Sequence, residues 1–420
     1  MKTSVDISGS DFKINGRLTY AEVPASEQNA QGLLMNARFI QGVFDDKENP
    51  KRFARFGWTS WDADRHTNEL IDALPIWYGY GLRAFTVGFQ GGMPVFTVEN
   101  SSINNNPFSA DGKKIDNDYL ERMNRLIRAA DALGMVVIVS ILYQGQAPRM
   151  RNGAVIRNAV RASCRWLREN AFTNVIIEVA NEYNVGAFKD HRLVFDPEGI
   201  STLIEIAREE SGGMLVGSSG GGLECSREVA EASDVILIHG NTGRRQDYYR
   251  LVKMVKSWKL SRPIVCNEDS PCFSQLDVAY RTHTSWGYYN NLTKQEPPAA
   301  WGIANPEDLF FARRMARGIG IPVEPLHEDE QYVLDGLQGR WEWMGQRWVR
   351  LTAEFPEKIN QVEFFLNGNF IDTAYQEPFY VNYEQTWIQK GVSTKRGDQW
   401  SAEIHLGDGQ VLDRHEKVEA

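Results

Sequence analysis

The chain has 420 residues, of which 42% are hydrophobic and 24% are charged, a composition that excludes a disordered or fibrous protein. Its 55 acidic residues outnumber its 46 basic residues and give a net charge of -9, so nucleic acid is not an expected partner. No apolar run approaches the roughly 18 to 20 residues of a membrane span, and residues 1–25 lack a signal-peptide pattern. We expect no membrane association. The sequence fits a cytoplasmic protein, and it also fits an exported protein whose signal peptide had been removed. The oligomeric state is left open.

The first predicted element lies within residues 1–31. The segment Phe12 to Tyr20, FKINGRLTY, places β-forming residues on both sides of Asn15-Gly16, a pair typical of tight hairpin turns. We predict that this strand or hairpin closes the bottom of the domain that follows.

Residues 32–324 are predicted to form an α/β domain, a (β/α)8 TIM barrel. Short runs rich in valine and isoleucine alternate with amphipathic helical patterns, as in βα units around a parallel sheet. Near-continuous apolar runs suit strands that are buried on both faces. The predicted strands span residues 33–44, 82–90, 135–143, 174–182, 214–219, 234–239, 263–268 and 285–290. Long connections follow the first, second, fourth and eighth strands, on the rim where such barrels carry their active sites.

The pattern changes after residue 325. Alternating segments such as RWVRLTAEF and QWSAEIHLGDG follow one another with no helical pattern between them. We predict a small β-sandwich accessory domain over residues 325–420. Carbohydrate binding and packing against the barrel are both compatible with this domain.

Two predicted strands end in acidic residues at the active-site rim. The fourth strand, IIEVANE, ends in Asn181-Glu182, and the seventh, IVCNED, ends in Glu268-Asp269. These strands face each other across the mouth of a closed eight-stranded barrel, so the two glutamates can approach. Two carboxylates beside one pocket can cleave a glycosidic bond, with retention of configuration at a separation of about 5 Å and inversion at about 6.5 Å or more. The alternative role of Glu182 is to cap the following loop.

The fourth strand also resembles a known signature. IIEVANE is similar to the strand-four motif of glycoside hydrolase clan A, barrel enzymes that include family 5 cellulases and mannanases. The resemblance implies that Glu182 is the general acid/base and Glu268 the nucleophile of a retaining hydrolase. It also implies a β-linked polysaccharide or oligosaccharide as the substrate, and Asn181 as the group that binds the sugar 2-hydroxyl. No cofactor or metal is implied.

The resemblance extends to two further strands and departs at two others. His239 in LIHGN matches the strand-six histidine of the clan, and Trp286 in SWGYYN matches the tryptophan that floors the reactive sugar's subsite. Thr86 stands where family 5 carries an arginine, and the strand-three histidine is absent. The chain therefore resembles the clan but is distinct from family 5. The segment 362–381 resembles immunoglobulin-like modules of bacterial glycosidases.

Other rim residues are candidates for binding sugar. Their amide, phenol and indole groups can bind hydroxyl groups or stack on sugar rings, and they comprise Tyr143, Gln90, Asn241, Trp58 and Trp61.

Two other functions would use residues at the same rim. One is a metal-dependent sugar isomerase or lyase that uses Glu182, His239 and Glu268, although no HxH or HxxxH motif supports a metal. The other is a barrel that binds carbohydrate without catalysis. The sugar, the linkage, and endo or exo action are left open.

Overall fold

The computed structural model describes residues 1–94, 102–343, 345–386 and 390–419 of the chain. Three short strands form an antiparallel sheet at the N-terminus: β1 (Val5–Ser8), β2 (Asp11–Ile14) and β3 (Arg17–Leu18). Asn15 and Gly16 have positive φ angles of 52° and 76° and turn the chain between β2 and β3.

The strands of the barrel follow. They are β4 (Asn36–Arg38), β5 (Ala84–Gly88), β6 (Val136–Tyr143), β7 (Val175–Asn181), β8 (Leu215–Gly217), β9 (Ile236–His239), β10 (Ile264–Glu268) and β11 (Gly287–Tyr288). Each lies within its predicted run. The order β11-β4-β5-β6-β7-β8 is parallel throughout, and β9 pairs in parallel with β10.

Backbone hydrogen bonds join these two groups of strands into a closed barrel. The Asp234 amide donates to the Val216 carbonyl at 2.7 Å, which links the segments of β8 and β9. The Cys266 amide donates to the Ser285 carbonyl at 2.9 Å, which links β10 to the segment of β11. The predicted fold class is therefore confirmed.

Helices cover the outside of the barrel. They are α1 (Ala63–Gly79), α2 (Asn117–Leu133), α3 (Gly153–Glu169), α4 (Arg192–Phe195), α5 (Pro197–Ser211), α6 (Arg227–Ala232), α7 (Arg245–Ser257), α8 (Gln275–Thr282), α9 (Asn291–Lys294) and α10 (Pro306–Ile319). In α3 the buried residues Ile156, Val160 and Leu167 recur at helical spacing, so one apolar face packs inward. In the described part of the chain, no helix combines the length and apolar character needed to cross a membrane.

The N-terminal sheet packs against the interior of the barrel. Phe12 of β2 is fully buried in a cluster with Leu34, Ala84, Val136 and other residues from the beginnings of the barrel strands. The ring of Phe12 therefore fills this end of the barrel interior together with the aliphatic side chains of the strands. The opposite end, where the strands finish, remains available for a site.

The C-terminal strands form two antiparallel sheets with a common core. They are β12 (Tyr332–Asp335), β13 (Gln346–Arg347), β14 (Arg350–Ala353), β15 (Ile359–Leu366), β16 (Asn369–Ala374), β17 (Phe379–Tyr380), β18 (Val392–Ser393), β19 (Gln399–Leu406) and β20 (Val411–Lys417). One sheet has the order β12-β14-β17 and the other β16-β15-β19-β20, while β13 pairs with β18. Leu351, Phe364 and Ile404 belong to one buried cluster between the two sheets, as in a β-sandwich.

A half-buried carboxyl group joins the sandwich to the barrel. Glu377, just before β17, accepts hydrogen bonds from the backbone amide of Ser274, at 3.2 Å, and from the hydroxyl of the same residue. Burial raises the pKa of Glu377 to about 7, although Ser274 and Arg314 act against the rise. The folded protein therefore holds a proton on Glu377 at pH values where the unfolded chain has lost it.

We expect this proton to make stability depend on pH. An unfolded glutamate titrates near pH 4.3, so between about pH 4.3 and pH 7 the folded state binds more protons than the unfolded chain. The free energy of unfolding therefore falls as the pH rises, by roughly 3 to 4 kcal/mol in total. Above pH 7 this loss is complete. Urea unfolding measures the free energy of unfolding at pH 5 and at pH 8, and the difference between the two values should be smaller for Glu377→Gln than for wild type. The exposed Asp408→Asn variant is the control. If Glu377→Gln and Asp408→Asn showed the same difference, Glu377 would not be the source of the pH dependence.

Candidate active site

Glu182 stands at the end of β7 in a left-handed backbone conformation, with φ 53°. This conformation is uncommon for a residue with a side chain, and it is held by a hydrogen bond from the Glu182 amide to Ser219 Oγ at 3.1 Å. Glu182 Oε1 lies 3.0 Å from His239 Nδ1, and Oε2 accepts from Gln144 Nε2 at 3.1 Å. The end of the strand therefore holds the carboxylate over the mouth of the barrel.

Glu268 ends β10 and is fixed by two neighbours. Its Oε2 lies 2.7 Å from Arg38 Nε, and its Oε1 accepts from Asn241 Nδ2 at 2.8 Å. Arg38 ends β4 and is almost fully buried, and its Nη2 also donates to Asn181 Oδ1. One guanidinium thus holds the candidate nucleophile and the asparagine that precedes Glu182.

The two glutamates share a histidine. One oxygen of Glu182, one of Glu268 and one ring nitrogen of His239 all lie within 4.8 Å of one another. His239 Nδ1 is 3.0 Å from Glu182 Oε1 and 3.7 Å from Glu268 Oε2. His239 has no exposed surface, so the two carboxylates converge over a buried imidazole.

The charges of this cluster shift its proton equilibria. Burial acts to lower the pKa of His239, but Glu268 and Glu182 raise that pKa above its usual value. Burial acts to raise the pKa of Glu182, yet the hydrogen bond and charge of His239 hold it below its usual value. Burial raises the pKa of Glu268, and Arg38 and His239 act against that rise. The shifts of His239 and Glu182 both favour an ion pair in which His239 carries the proton and donates it to Glu182 along a 3.0 Å hydrogen bond.

A third carboxylate lies beneath this pair. Glu178, on β7, is fully buried, and its Oε1 accepts from Ser219 Oγ at 2.7 Å and from Asn267 Nδ2 at 2.9 Å. The same oxygen lies 4.0 Å from His239 Nε2. Glu178 therefore adds negative charge below the imidazole, and through Ser219 it is connected to the backbone of Glu182.

The glutamates open into a cavity of about 450 Å³. Both are on its wall, with Arg38, the phenols of Tyr143 and Tyr289, and the apolar side chain of Met93. The remaining polar lining consists mainly of carboxamides, including Gln385 from the sandwich. A cavity of this size that combines apolar surface with a few convergent polar groups is typical of a small-molecule site.

The structure brings several of the predicted site residues together. Asn181, Tyr143 and Asn241 line the cavity with the two glutamates, and His239 supports Glu182 from below. Their strands, β7, β6, β9 and β10, all end at the same rim.

Gln90 and Trp286 are not at the cavity. Gln90 is 1% exposed, accepts from the Tyr143 amide at 2.7 Å and donates to Asn106 at 2.8 Å, so both ends of its amide are engaged within the protein. Trp286 has no exposed surface; its indole donates to Asp269 Oδ2 at 2.7 Å, and its ring packs on Phe311 of α10. The expectation that Trp286 floors a sugar subsite does not fit this placement.

Trp58 and Trp61 also lie away from the cavity. Their rings stack at 5.4 Å and belong to a separate apolar cluster with Phe44 and Phe53, under the loop that follows β4. Each is 8% exposed. The two tryptophans give this long loop its own small core.

Several polar residues of the cavity were missed from the sequence, namely Arg38, Gln144, Thr242, Tyr289, Asn291, Gln295 and Gln385. Arg38, Gln144 and Tyr289 lie at or just beyond the ends of barrel strands, and Gln385 comes from the distant sandwich. Arg38 carried a usable signal, because a charged residue within the apolar run LLMNARFIQGVF needs a buried partner. Gln385 carried none, since nothing in the sequence brings residue 385 to the rim.

No protein-family model and no curated protein matches this sequence. Among solved structures, the chain is similar to the β-glucuronidase of Parabacteroides merdae, with 10% identity, a TM-score of 0.44, and coverage of 99% of this chain and 50% of that chain. It is similar to β-glucuronidase 3 of Bacteroides uniformis, with 11% identity, a TM-score of 0.44, and coverage of 99% and 51%. It is also similar to the endo-β-1,4-mannanase of Thermotoga petrophila, with 10% identity, a TM-score of 0.47, and coverage of 92% and 97%. The chain spans about half the length of these two β-glucuronidases.

Proposed function

We propose that the protein is a retaining glycoside hydrolase that cleaves a β-linked oligosaccharide or polysaccharide by double displacement. The observation that carries this proposal is the convergence of Glu182 and Glu268, with oxygens within 4.8 Å, on the wall of one cavity. Retaining enzymes place their two carboxyl groups about 5 to 5.5 Å apart, whereas inverting enzymes need about 6.5 to 9.5 Å to admit a water molecule.

The neighbours of each glutamate assign its role. Glu268 lies against Arg38, which keeps its proton at all relevant pH values, so the guanidinium favours the ionised form of Glu268 against the effect of burial and orients it as a nucleophile. Glu182 lies against His239, which can exchange a proton with it. Glu182 is therefore the group that can donate a proton in one step and accept one in the next.

In the first step a Glu268 oxygen bonds to the anomeric carbon, the glycosidic carbon–oxygen bond breaks, and Glu182 protonates the departing oxygen. In the second step Glu182 takes a proton from water, the water oxygen bonds to the anomeric carbon, and the ester to Glu268 breaks. Two inversions give net retention. Asn181 accepts from Arg38 through Oδ1, which leaves its amide nitrogen to donate to a sugar hydroxyl.

The ion pair between Arg38 and Glu268 argues against the metal-dependent sugar isomerase or lyase. Glu182, His239 and Glu268 are close enough to act as metal ligands. However, Arg38 lies 2.7 Å from Glu268 and already neutralises that carboxylate, so a divalent ion bound there would lie beside a fixed positive charge.

The proposal is tested by hydrolysis of a broad panel of polysaccharides and aryl glycosides, with the product anomer followed by NMR from the earliest time points. We expect sugar release in which the first product has the configuration of the substrate. A first product of the opposite configuration would exclude double displacement. Absence of sugar release from every substrate would count against hydrolysis.

His239 should set the basic limb of the pH–rate profile. In the wild type the acid proton is lost as the pH rises through the pKa of His239, which lies above its usual value of about 6.5. In His239→Gln the proton can reside only on Glu182, whose pKa is then no longer lowered by His239, so we expect the position of the basic limb to change and kcat to fall roughly 100-fold.

The pH dependence of kcat/KM measures the shift, and thermal unfolding checks that the variant is folded. His415→Gln, on the exposed side of β20, is the matched control and should keep the wild-type profile. An unchanged basic limb in His239→Gln would mean that His239 does not hold the acid proton.

A further inference from the structure

The polar lining of the candidate active-site cavity is dominated by one chemical group. Apart from the two glutamates and Arg38, its polar side chains are two tyrosines, one threonine and six carboxamides: Gln144, Asn181, Asn241, Asn291, Gln295 and Gln385. A carboxamide offers both a donor and an acceptor, as a sugar hydroxyl does. Such a wall is complementary to a ligand that carries many hydroxyl groups.

Arg38 is the one cationic side chain among the described residues on this wall, and two of its three nitrogens are engaged within the protein. Its Nε faces Glu268 at 2.7 Å, and its Nη2 donates to Asn181. The remaining nitrogen, Nη1, is buried and has no hydrogen-bond partner among the described residues. The chain segments outside the described ranges, 95–101, 344, 387–389 and 420, contain no lysine or arginine.

The described part of the wall therefore has no cationic group left over for a ligand. Glu268 is paired with Arg38, and Glu182 is paired with His239 beneath the wall. A substrate carboxylate in this cavity would lose its hydration without gaining a cationic partner, and it would lie close to the carboxylate of Glu268. A hydroxyl or hydroxymethyl group at the same place can instead be satisfied by the carboxamides.

We infer that the sugar bound at the catalytic glutamates is neutral, with hydroxyl and hydroxymethyl groups only, and that acidic sugars are rejected there. This inference rests on the proposed glycosidase function and specifies its substrate class. It also gives the sandwich a direct role, because Gln385 contributes one of the carboxamides that line the cavity.

The test compares pairs of aryl β-glycosides that differ only at C6: glucoside with glucuronide, and galactoside with galacturonide. Aryl β-mannoside and β-xyloside extend the neutral set. We expect kcat/KM for at least one neutral glycoside to exceed that of every uronide by on the order of 100-fold, the effect of an unpaired buried charge.

The possible outcomes separate the two claims. Faster turnover of a uronide than of its neutral partner would overturn the inference and leave the glycosidase function standing. Turnover of no glycoside, together with no binding of neutral oligosaccharides to Glu182→Gln, would overturn the proposed function itself.

Variants at Gln385 test the contribution of the sandwich. The residue is exposed, so Gln385→Arg and its matched control Gln385→Ala should both fold. The arginine adds a cation at the wall, and we expect the uronide to neutral ratio of kcat/KM to rise about 10-fold relative to the alanine variant, as for one new ion pair. Equal ratios in the two variants would contradict the placement of Gln385 beside the bound sugar.

Discussion

Replacing Glu268 by alanine is expected to lower kcat by roughly 10⁴- to 10⁶-fold, the range seen when the nucleophile of a covalent mechanism is removed. The loss follows from its position, because Glu268 is the carboxylate that Arg38 and Asn241 hold by two contacts, at 2.7 and 2.8 Å. Folding should survive, since those partners lie beside a cavity that water can enter. The measurement is kcat on an activated aryl glycoside, with circular dichroism as the check on folding.

Azide separates the roles of the two glutamates. In Glu268→Ala, azide can occupy the space of the missing carboxylate and displace the aryloxide directly, so one displacement gives a glycosyl azide of inverted configuration. In Glu182→Ala, azide attacks the ester on Glu268, so two displacements give a glycosyl azide of retained configuration. The opposite pairing of variants and products would reverse the assigned roles.

A matched control distinguishes a catalytic glutamate from any glutamate near the rim. Glu224 is exposed and accepts a hydrogen bond from Asn184, outside the cavity wall. Glu224→Ala should keep kcat within about 3-fold of wild type, since surface substitutions usually have small effects. A kcat of Glu268→Ala similar to that of Glu224→Ala would remove Glu268 from the mechanism.

The barrel and its two glutamates were predictable because both leave strong local patterns. Strands buried on both faces are apolar throughout, and polar residues at their ends therefore stand out. Asn181-Glu182 and Glu268 follow runs of valine and isoleucine, and the rule that parallel strands finish at one rim brings them together.

The tryptophan at the eighth strand was misplaced because position along a strand does not determine side-chain direction. Successive side chains of a strand point to opposite faces, so a shift of one residue exchanges the two faces. Trp286 and Tyr288 both pack against Phe311 of α10 on the outside, while Tyr289 faces the cavity. The sequence SWGYYN places aromatic residues at both alternating positions of the strand, so its pattern cannot show which face of the strand points into the barrel.

Arg38 and Gln385 were missed for different reasons. Arg38 lies two residues after Asn36 and four after Leu34, so the three side chains share one face of the strand. Leu34 belongs to the apolar cluster inside the barrel, so Arg38 could have been inferred to point inward once the strand was placed. Gln385 reaches the site only through the packing of the sandwich on the barrel. That contact joins residues far apart in sequence and depends on the tertiary fold.

The packing of the sandwich on the barrel leads to the largest expected effect on stability. Arg350 of β14 is 1% exposed, and its Nε and Nη2 lie 2.7 Å from Glu307 of α10 and 2.9 Å from Asp335 of β12. Replacement of Arg350 by leucine leaves two buried carboxylates without their cation. Loss of one partner from a buried ionic network costs about 3 to 5 kcal/mol, so we expect a fall of that size in the free energy of unfolding.

Urea unfolding measures this fall, and an exposed ion pair gives the control. Arg227 lies 2.7 Å from Glu231 on the surface of α6, and Arg227→Leu should change the free energy of unfolding by about 0.5 kcal/mol or less. A variant that combines Arg350→Leu with Glu307→Gln and Asp335→Asn should recover part of the loss, because the stranded charges are then gone. A loss below about 1 kcal/mol in Arg350→Leu would mean that water solvates the two carboxylates.

The same network connects stability to the site. Glu307 also accepts from Asn290 Nδ2 at 2.7 Å, and Asn290 caps the N-terminus of α9, from which Asn291 lines the cavity. When Arg350 is absent, Glu307 loses the contact that orients it toward Asn290. We therefore expect Arg350→Leu to raise KM even at temperatures where the variant remains folded, because the sandwich then no longer fixes this part of the cavity wall.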